Sequence, residues 1–374
     1  MAGGFVVFIA LVLFIVAHEA GHYFAAKATG MKVTEFFLGF GPRIWSFKRG
    51  ETEYGIKPIP FGAYVKVIGM SSIDEVDPED EDRTYRSKPF WAKSLVVLSG
   101  ITANFLIAYL IFFGLALTQG QPVVVDGELV ETTTIGAVVA EDENGRSTTA
   151  AELGLLPDDT IVAIDGNATS EWDDLVAALE SRAGELIDIT IQRGGEELVL
   201  SGQLGTRVVD GQTRGFLGIS PAPLTEQLGV GEAIVDAGSQ FVEGVRFTFI
   251  SFARLLQFDS LGQLFGGIFG GEVDDDVRPV SLVGVVQIGA QADEVGFATI
   301  ALILAIINVV LGIINGLPLF PLDGGHFAVA LYEKLSGRTA DVRKLIPVAV
   351  VVIAFISIFG LAAIILDLVQ PINL

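Results

Sequence analysis

Two histidines and a glutamate lie within one apolar stretch near the start of the chain. The stretch FIVAHEAGHYFAAK places His18, Glu19 and His22 in the second half of a run that is long enough to enter a bilayer. Ionisable groups at membrane depth are costly, and they usually face a protein interior or a water-filled cavity. These three residues therefore predict a functional site inside a membrane protein.

The spacing of the two histidines is that of metal ligands on a helix. His18 and His22 are four residues apart, so a helix places both imidazoles on one face, where they can bind a single ion. Glu19 is adjacent and can reach a water on that ion without being a ligand. The HExxH pattern thus predicts two zinc ligands and a general base. A chance string would leave three polar groups in a membrane span unexplained.

A third ligand is expected from another membrane segment, because a catalytic zinc has three protein ligands and an open position for water. The stretch INGLPLFPLDGGH, residues 314–326, offers Asp323 and His326. Its prolines break the helix, and irregular backbone at membrane depth occurs where it lines a cavity or is buried in protein. Spacing alone does not choose between Asp323 and His326, and Asp323 could also cap the following helix.

The composition assigns most of the chain to a membrane. The 374 residues are 51% hydrophobic and 18% charged, with a mean hydropathy of +0.58, which is too apolar for an ordinary soluble protein. Four apolar blocks reach the roughly 20 residues that span a bilayer: 4–26, 95–117, 297–317 and 346–368. The chain has no cysteine, which excludes disulfides, thiolate ligands and a cysteine nucleophile.

The distribution of charge predicts the topology. The segments that join the first two blocks and the last two blocks carry 15 of the 23 Lys and Arg, so the positive-inside rule places them in the cytoplasm. Both termini and residues 119–295 then lie on the extracytoplasmic side of the plasma membrane. Because the net charge is −22, we expect no nucleic-acid partner. The first block lacks a basic leader region, so we expect it to stay as a span.

The predicted fold class is a polytopic α-helical membrane protein of about four transmembrane helices, with an inserted small α+β PDZ-like domain and a cytoplasmic, membrane-associated β-rich segment. The predicted segments follow in chain order. They are transmembrane helix 1 at 1–26, the cytoplasmic β-rich segment and acidic linker at 27–93, transmembrane helix 2 at 94–118, the extracytoplasmic PDZ-like domain at 119–210, an extracytoplasmic amphipathic connector at 211–295, a broken transmembrane helix 3 at 296–335, and a cytoplasmic loop with transmembrane helix 4 at 336–374.

The extracytoplasmic region contains one compact pattern. Residues 122–208 alternate as strand, turn, strand, amphipathic helix and hairpin. The phrase ELGLLPDDTIVAIDG, residues 152–166, resembles a PDZ domain, which implies capture of a peptide C-terminus or an unfolded tail by strand addition. Other small α+β modules fit the same outline.

The pair HEAGH and NGLPLFPLDGGH, together with SGITANF at the second span, resembles the site-2 protease family of intramembrane zinc metalloproteases. The similarity covers most of the chain, including the spans, the β-rich stretch and the PDZ-like insert. It implies that His18, His22 and Asp323 ligate Zn²⁺ and that Glu19 is the base. It therefore favours Asp323 over His326.

The same resemblance implies that two asparagines contact the substrate. Asn315 precedes the LDG motif, where the family uses an asparagine to hold the substrate backbone. Asn104 occupies the second-span position, although the family often has Gly-Pro where this chain has Gly100 and Ile101. Interhelical packing is the alternative for Asn104.

The resulting hypothesis is peptide hydrolysis within the membrane. The resemblance implies single-pass membrane proteins as substrates, already cut on their outer side, such as anti-sigma factors. Residues 33–70 read as a small sheet with an exposed edge, and we hypothesise that Tyr64 and Val65 at this edge pair with the unwound substrate. One alternative is a metalloprotease that cuts water-exposed loops. Another is a metal transporter or sensor that uses the same ligands, and Glu19→Gln separates it from a protease.

Overall fold

Four membrane-length helices organise the structure, a computed structural model that describes residues 2–70, 74–142, 145–209, 211–271, 273–274 and 278–372. In this part of the chain, the helices that are long and apolar enough to cross a membrane, by length and composition, are Gly3–Ala28, Phe90–Gln119, Gly296–Gly316 and Arg343–Val369. The four predicted spans are therefore confirmed as helices, with ends that differ by a few residues. Ser71, Ser72 and Ile73 of the predicted acidic linker lie outside the described residues.

The helices are named in chain order. They are α1 (Ala2–Ala28), α2 (Phe90–Gln119), α3 (Thr149–Leu153), α4 (Trp172–Glu180), α5 (Val230–Leu255), α6 (Phe258–Gly267), α7 (Leu282–Ala290), α8 (Ala292–Gly316, kinked at Gly296), α9 (Asp323–Ser336) and α10 (Ile346–Val369). The predicted break in the third span is confirmed, because α8 ends at Gly316 and α9 begins only at Asp323.

The strands are named in the same way. They are β1 (Val33–Phe40), β2 (Trp45–Arg49), β3 (Thr52–Ile56), β4 (Ile59–Val67), β5 (Gln121–Pro122), β6 (Val124–Val125), β7 (Glu128–Leu129), β8 (Glu131–Val138), β9 (Thr160–Ile164), β10 (Asn167–Ala168), β11 (Leu186–Arg193), β12 (Glu196–Gln203), β13 (Gly205–Val209), β14 (Gln212–Phe216), β15 (Ile219–Pro223) and β16 (Thr225–Glu226).

Helix α2 is the centre of the membrane bundle and packs against α1, α8, α9 and α5. Its contact with α8 is built on small residues, because Ala108 of α2 and Ala305 of α8 are both fully buried. Small side chains let helix backbones approach closely in a membrane, where packing replaces the hydrophobic effect as the source of association. The bundle therefore holds the second half of α1 and the start of α9 against α2.

The β-rich stretch between α1 and α2 forms a four-stranded sheet in the order β2-β3-β1-β4, which confirms the predicted small sheet. β1 is parallel to β3 and antiparallel to β4, so β4 is an edge strand. The sheet joins the bundle where Val67 of β4 packs with Ala25 and Ala26 at the end of α1. β4 is consequently the strand that lies beside the predicted metal ligands.

An ion-pair network also attaches this sheet to α1. Glu51, in the β2–β3 turn, accepts hydrogen bonds from Lys27 at the end of α1 and from Arg83, whose Nη2 lies 2.7 Å from Oε2. Burial raises the pKa of the Glu51 carboxyl, but the hydrogen bonds from Lys27 and Arg83 lower it by more, so that its pKa lies below the usual 4.5. The charged form of Glu51 is thus favoured in the folded protein.

The region after α2 forms a separate α+β module around a sheet of order β12-β11-β9-β8-β15. Its core is aliphatic, and Ile135, Ile161 and Ile189 are fully buried together. The predicted domain boundary at 210 is corrected, because β15 pairs with β8 and β16 pairs with β5. The strands of the module therefore continue to 226. Its identity as a PDZ domain stays a prediction.

The connector contains the amphipathic helix that the sequence predicts. α5 buries Ala233 and Ala237, whereas Val242 and Phe247 are exposed. Beyond it, α7 packs on α1 and links it to the last helix. Asp367 of α10 accepts a hydrogen bond of 2.8 Å from the Ser281 backbone N–H at the start of α7.

Candidate metal centre

The two histidines converge because continuous apolar sequence keeps α1 helical through the HEAGH motif. The Nε2 atoms of His18 and His22 lie 3.2 Å apart, as expected for side chains at i and i+4 on one face. His18 is buried and His22 is partly buried. Both rings therefore present a nitrogen to the same small volume inside the bundle.

Asp323 reaches the same volume because the chain turns back after α8. Its Oδ2 lies 3.1 Å from His18 Nε2 and 3.2 Å from His22 Nε2. The turn depends on glycine, since a Cβ on Gly324 would lie 2.2 Å from the Gly316 carbonyl oxygen. The structure thus brings His18, His22 and Asp323 together as a possible metal-binding group.

These three side chains fit a zinc ion. Tetrahedral ligands at about 2.0–2.1 Å from zinc are separated from one another by roughly 3.3 Å, and the three atoms here are 3.1–3.2 Å apart. Asp323 Oδ2 is buried, and within the described ranges it has no hydrogen-bond partner apart from the two imidazole nitrogens that face it. A buried carboxylate oxygen without a donor is costly unless a cation satisfies it. Two imidazoles and one carboxylate are a common catalytic zinc set.

Helix α2 contacts the second ring nitrogen, Nδ1, of each histidine. The Nδ1 of His22 lies 2.7 Å from the carbonyl oxygen of Val96, and the Nδ1 of His18 lies 3.2 Å from the side-chain amide of Asn104. Metal-binding histidines generally donate their second ring N–H to such a partner, which fixes the tautomer and the ring orientation. Both Nε2 atoms are thereby directed toward Asp323.

Glu19 lies beside this group without joining it. Its carboxylate interacts electrostatically with His22, His18 and Asp323, and it lies near the Val65 backbone amide. That amide belongs to the edge strand β4. Since the Ile68 N–H donates to the Lys32 carbonyl just before β1, and N–H groups alternate in direction along a strand, the Val65 N–H points away from β1. The free edge of β4 therefore faces Glu19.

The predicted substrate contacts occupy different environments. Asn104 has an exposed fraction of 1% and lies behind His18, and its contact with a substrate stays a prediction. Asn315 is half-buried in the last turn of α8. The Tyr64 hydroxyl donates to Glu35, and its ring stacks on Phe37 with centroids 5.8 Å apart. Burial and the hydrogen bond to Glu35 raise the Tyr64 pKa, so its side chain is a structural part of the sheet.

His326 does not join the other two histidines. Its ring packs edge-on against Phe320, with centroids 4.8 Å apart, and it is not part of the group formed by His18, His22 and Asp323.

Two features of α2 that contact the histidines, the Val96 carbonyl and Gly100, were not predicted from the sequence. Gly100 precedes Asn104 by one helical turn, and this spacing was the available signal that both residues face α1.

The sequence matches peptidase family M50 over residues 6–359. The chain belongs to this family. Among its M50 relatives, the zinc metalloprotease Rip1 of Mycobacterium tuberculosis is 30% identical over 99% of this chain and 98% of that protein. Rip1 of Mycolicibacterium smegmatis is 31% identical with the same coverage. The zinc metalloprotease RasP of Shouchella clausii is 26% identical over 91% of this chain and 92% of its own length.

Membership in M50 confirms the resemblance to site-2 proteases that the two motifs indicate. The protein is a zinc-dependent metalloprotease of the membrane, because it combines this family with four helices long and apolar enough to span. The rival interpretation as a transporter or sensor is thereby set aside.

Proposed function

We propose that this M50 protease hydrolyses a peptide bond within or next to the transmembrane segment of single-pass membrane proteins. One observation carries the proposal, namely that His18, His22 and Asp323 meet inside a membrane-length helix bundle and not in the outer module. A zinc ion held there can act only on a peptide that enters the membrane or its cytoplasmic boundary. We assign these three residues as the ligands.

Zinc, when bound, lowers the pKa of a coordinated water and polarises the scissile carbonyl. Glu19 is the base in this proposal: its carboxylate takes the proton from the attacking water and returns it to the leaving amine nitrogen. Its position supports this role, because it lies beside the three ligands and interacts with the amide of Val65.

The substrate must unwind before cleavage, because a helix keeps its amides in internal hydrogen bonds. We propose that the unwound segment pairs with the free edge of β4 near Val65, since strand addition replaces the lost backbone bonds. Such a segment would run past Glu19. Asn315 is proposed as a second backbone contact, and its half-buried amide in the last turn of α8, beside the Asp323 turn, supports this role.

The proposed substrates are signalling proteins of the plasma membrane, such as anti-sigma factors, after a first cut on their outer side. The proposed topology places both termini and the α+β module outside the cytoplasm, in accordance with the clustering of Lys and Arg between the spans. The module, as a PDZ-like domain, would capture a peptide C-terminus or an unfolded tail at a sheet edge.

The test uses purified protein in detergent and a reporter peptide that contains one transmembrane segment. Wild type and Glu19→Gln are compared for cleavage, the cut is located by mass spectrometry, and bound zinc is measured in both. We expect cleavage within or next to the span by wild type alone, with about one zinc in each. Glu79→Gln is the control, because Glu79 is exposed in the cytoplasmic linker.

A cut confined to water-exposed residues of the reporter would contradict the intramembrane proposal while leaving the protease intact. Full activity of Glu19→Gln would contradict the assignment of the base. Loss of zinc from Glu19→Gln would show that Glu19 is a ligand and not a base.

A further inference from the structure

Asn104 is the one side chain in the described part of α2 that contacts the second nitrogen of a proposed zinc ligand. Its amide nitrogen, Nδ2, lies 3.2 Å from Nδ1 of His18, its Oδ1 is buried without a hydrogen-bond partner among the described residues, and the residue is 1% exposed. The corresponding partner of His22 is the backbone carbonyl of Val96, at 2.7 Å. The two ligands are therefore supported by chemically different groups.

The chemistry of zinc binding fixes which end of the amide faces His18. An imidazole that binds zinc through Nε2 carries its proton on Nδ1, so Nδ1 must donate. The amide oxygen and nitrogen of asparagine are nearly identical in shape, and their assignment follows the hydrogen-bond network. The acceptor, Oδ1, must therefore face His18, since an amide N–H there would place the imidazole proton on Nε2 and block the metal.

We propose that Asn104 is a positioning residue that accepts the Nδ1 proton of His18 and thereby holds Nε2 in its metal-binding tautomer and direction. This inference rests on the proposed ligand set. It gives Asn104 a role other than the predicted substrate contact, because its side chain is buried behind His18. Asn104 acts through His18 and touches no reacting atom.

The test is zinc affinity, measured on the purified full chain by competition with a chromophoric chelator. Removing an outer hydrogen-bond partner of a ligand typically weakens metal binding by roughly 10- to 100-fold, so we expect this loss for Asn104→Leu. Asn104→Asp has acceptors and no amide donor. We expect its zinc affinity to be no more than about 3-fold weaker than that of wild type.

A matched control comes from α8. Asn308 is also fully buried in a membrane-length helix, but its amide donates to the Leu304 carbonyl at 2.9 Å and not to a ligand. Asn308→Leu should leave zinc affinity unchanged. The absorption spectrum of the cobalt-substituted protein gives a second measurement, because a displaced His18 changes the ligand field: we expect a changed spectrum for Asn104→Leu and the wild-type spectrum for Asn104→Asp.

Loss of zinc affinity by Asn104→Asp would overturn the proposal, because it would show that the amide donates. Unchanged affinity in Asn104→Leu with a raised KM would also overturn it and restore the substrate contact. If Asn104→Leu does not fold, the Asn104→Asp result alone decides. His18→Ala separates the two proposals, because unchanged zinc binding in that variant would refute the ligand set itself.

Discussion

Gly100 lies directly against His22, so that a Cβ built on this glycine would be 2.4 Å from Nε2. The α2 backbone therefore closes one side of the metal centre, and no larger residue fits there. Gly100→Ala should force the His22 ring to move. We expect zinc affinity to fall by roughly 5- to 150-fold, since overpacking of this kind costs about 1–3 kcal/mol.

The control for this change is Gly114→Ala in the same helix, where a Cβ meets no heavy atom within 4 Å. Alanine is the better helix former, so this variant should bind zinc as wild type does. Wild-type zinc affinity in Gly100→Ala would show that the helices can separate without cost at this point.

The free edge of β4 can be tested by removing one backbone donor. Val65→Pro deletes the amide that faces Glu19 and interrupts strand addition. We expect slower cleavage of the transmembrane reporter with about one zinc still bound. Val65→Ala retains the N–H and should lose much less activity. Equal losses in the two variants would mean that the Val65 side chain, and not the edge, contacts the substrate.

The attachment of the sheet to α1 should depend on pH. Because the Glu51 pKa is lowered in the folded protein, its contribution to the free energy of unfolding is complete above the unfolded value of about 4.5 and is lost as the pH falls through the folded pKa. We expect Glu51→Gln to lower stability by no more than about 1 kcal/mol at pH 7, since the pair is partly exposed.

Thermal unfolding in detergent between pH 7 and pH 3 measures this difference. The difference in melting temperature between wild type and Glu51→Gln should disappear toward pH 3. The melting temperature of Glu79→Gln should equal that of wild type at every pH. A difference in melting temperature that grows as the pH falls would refute the stabilising role of the Glu51 carboxylate.

An ion pair also joins α9, the helix that carries Asp323, to α2. Lys93 Nζ lies 2.9 Å from Glu333 Oε2, with side chains 12% and 25% exposed. Lys93→Met and Glu333→Gln should each destabilise the protein by about 1–3 kcal/mol, and the double variant by less than their sum, because each single change leaves a charge unpaired.

A double-mutant cycle on thermal unfolding measures the coupling. The exposed pair of Arg246 and Glu243, with side chains 68% and 67% exposed, should show coupling near zero. Additivity within about 0.5 kcal/mol at Lys93 and Glu333 would show that this partly buried pair does not hold α9 against α2.

Periodic and local signals made part of the fold predictable. The four spans follow from hydropathy, and the approach of His18 to His22 follows from helix geometry alone. The small sheet before α2 follows from short aromatic runs. These signals depend on neighbours in sequence, and the structure retains them because tertiary packing does not oppose them.

Long-range contacts could not be predicted in the same way. The choice of Asp323 over His326 depends on how the chain turns between α8 and α9, which spacing does not specify. The pairing of β15 with β8 joins residues about 80 to 90 positions apart, and no local pattern indicates that the module extends past residue 210. A sequence motif also does not indicate whether Asn104 lies on the substrate side of His18 or behind it.

The hydrogen bond from His22 to the Val96 carbonyl determines which mutations can weaken the metal centre. A backbone oxygen is present whatever residue is encoded at that position, so no codon change can remove the support of His22 directly. The support of His18 belongs to one asparagine codon. Loss-of-function substitutions that remove these contacts directly should therefore occur at Asn104 and Gly100, whereas substitutions at Val96 act only through the packing of its buried side chain.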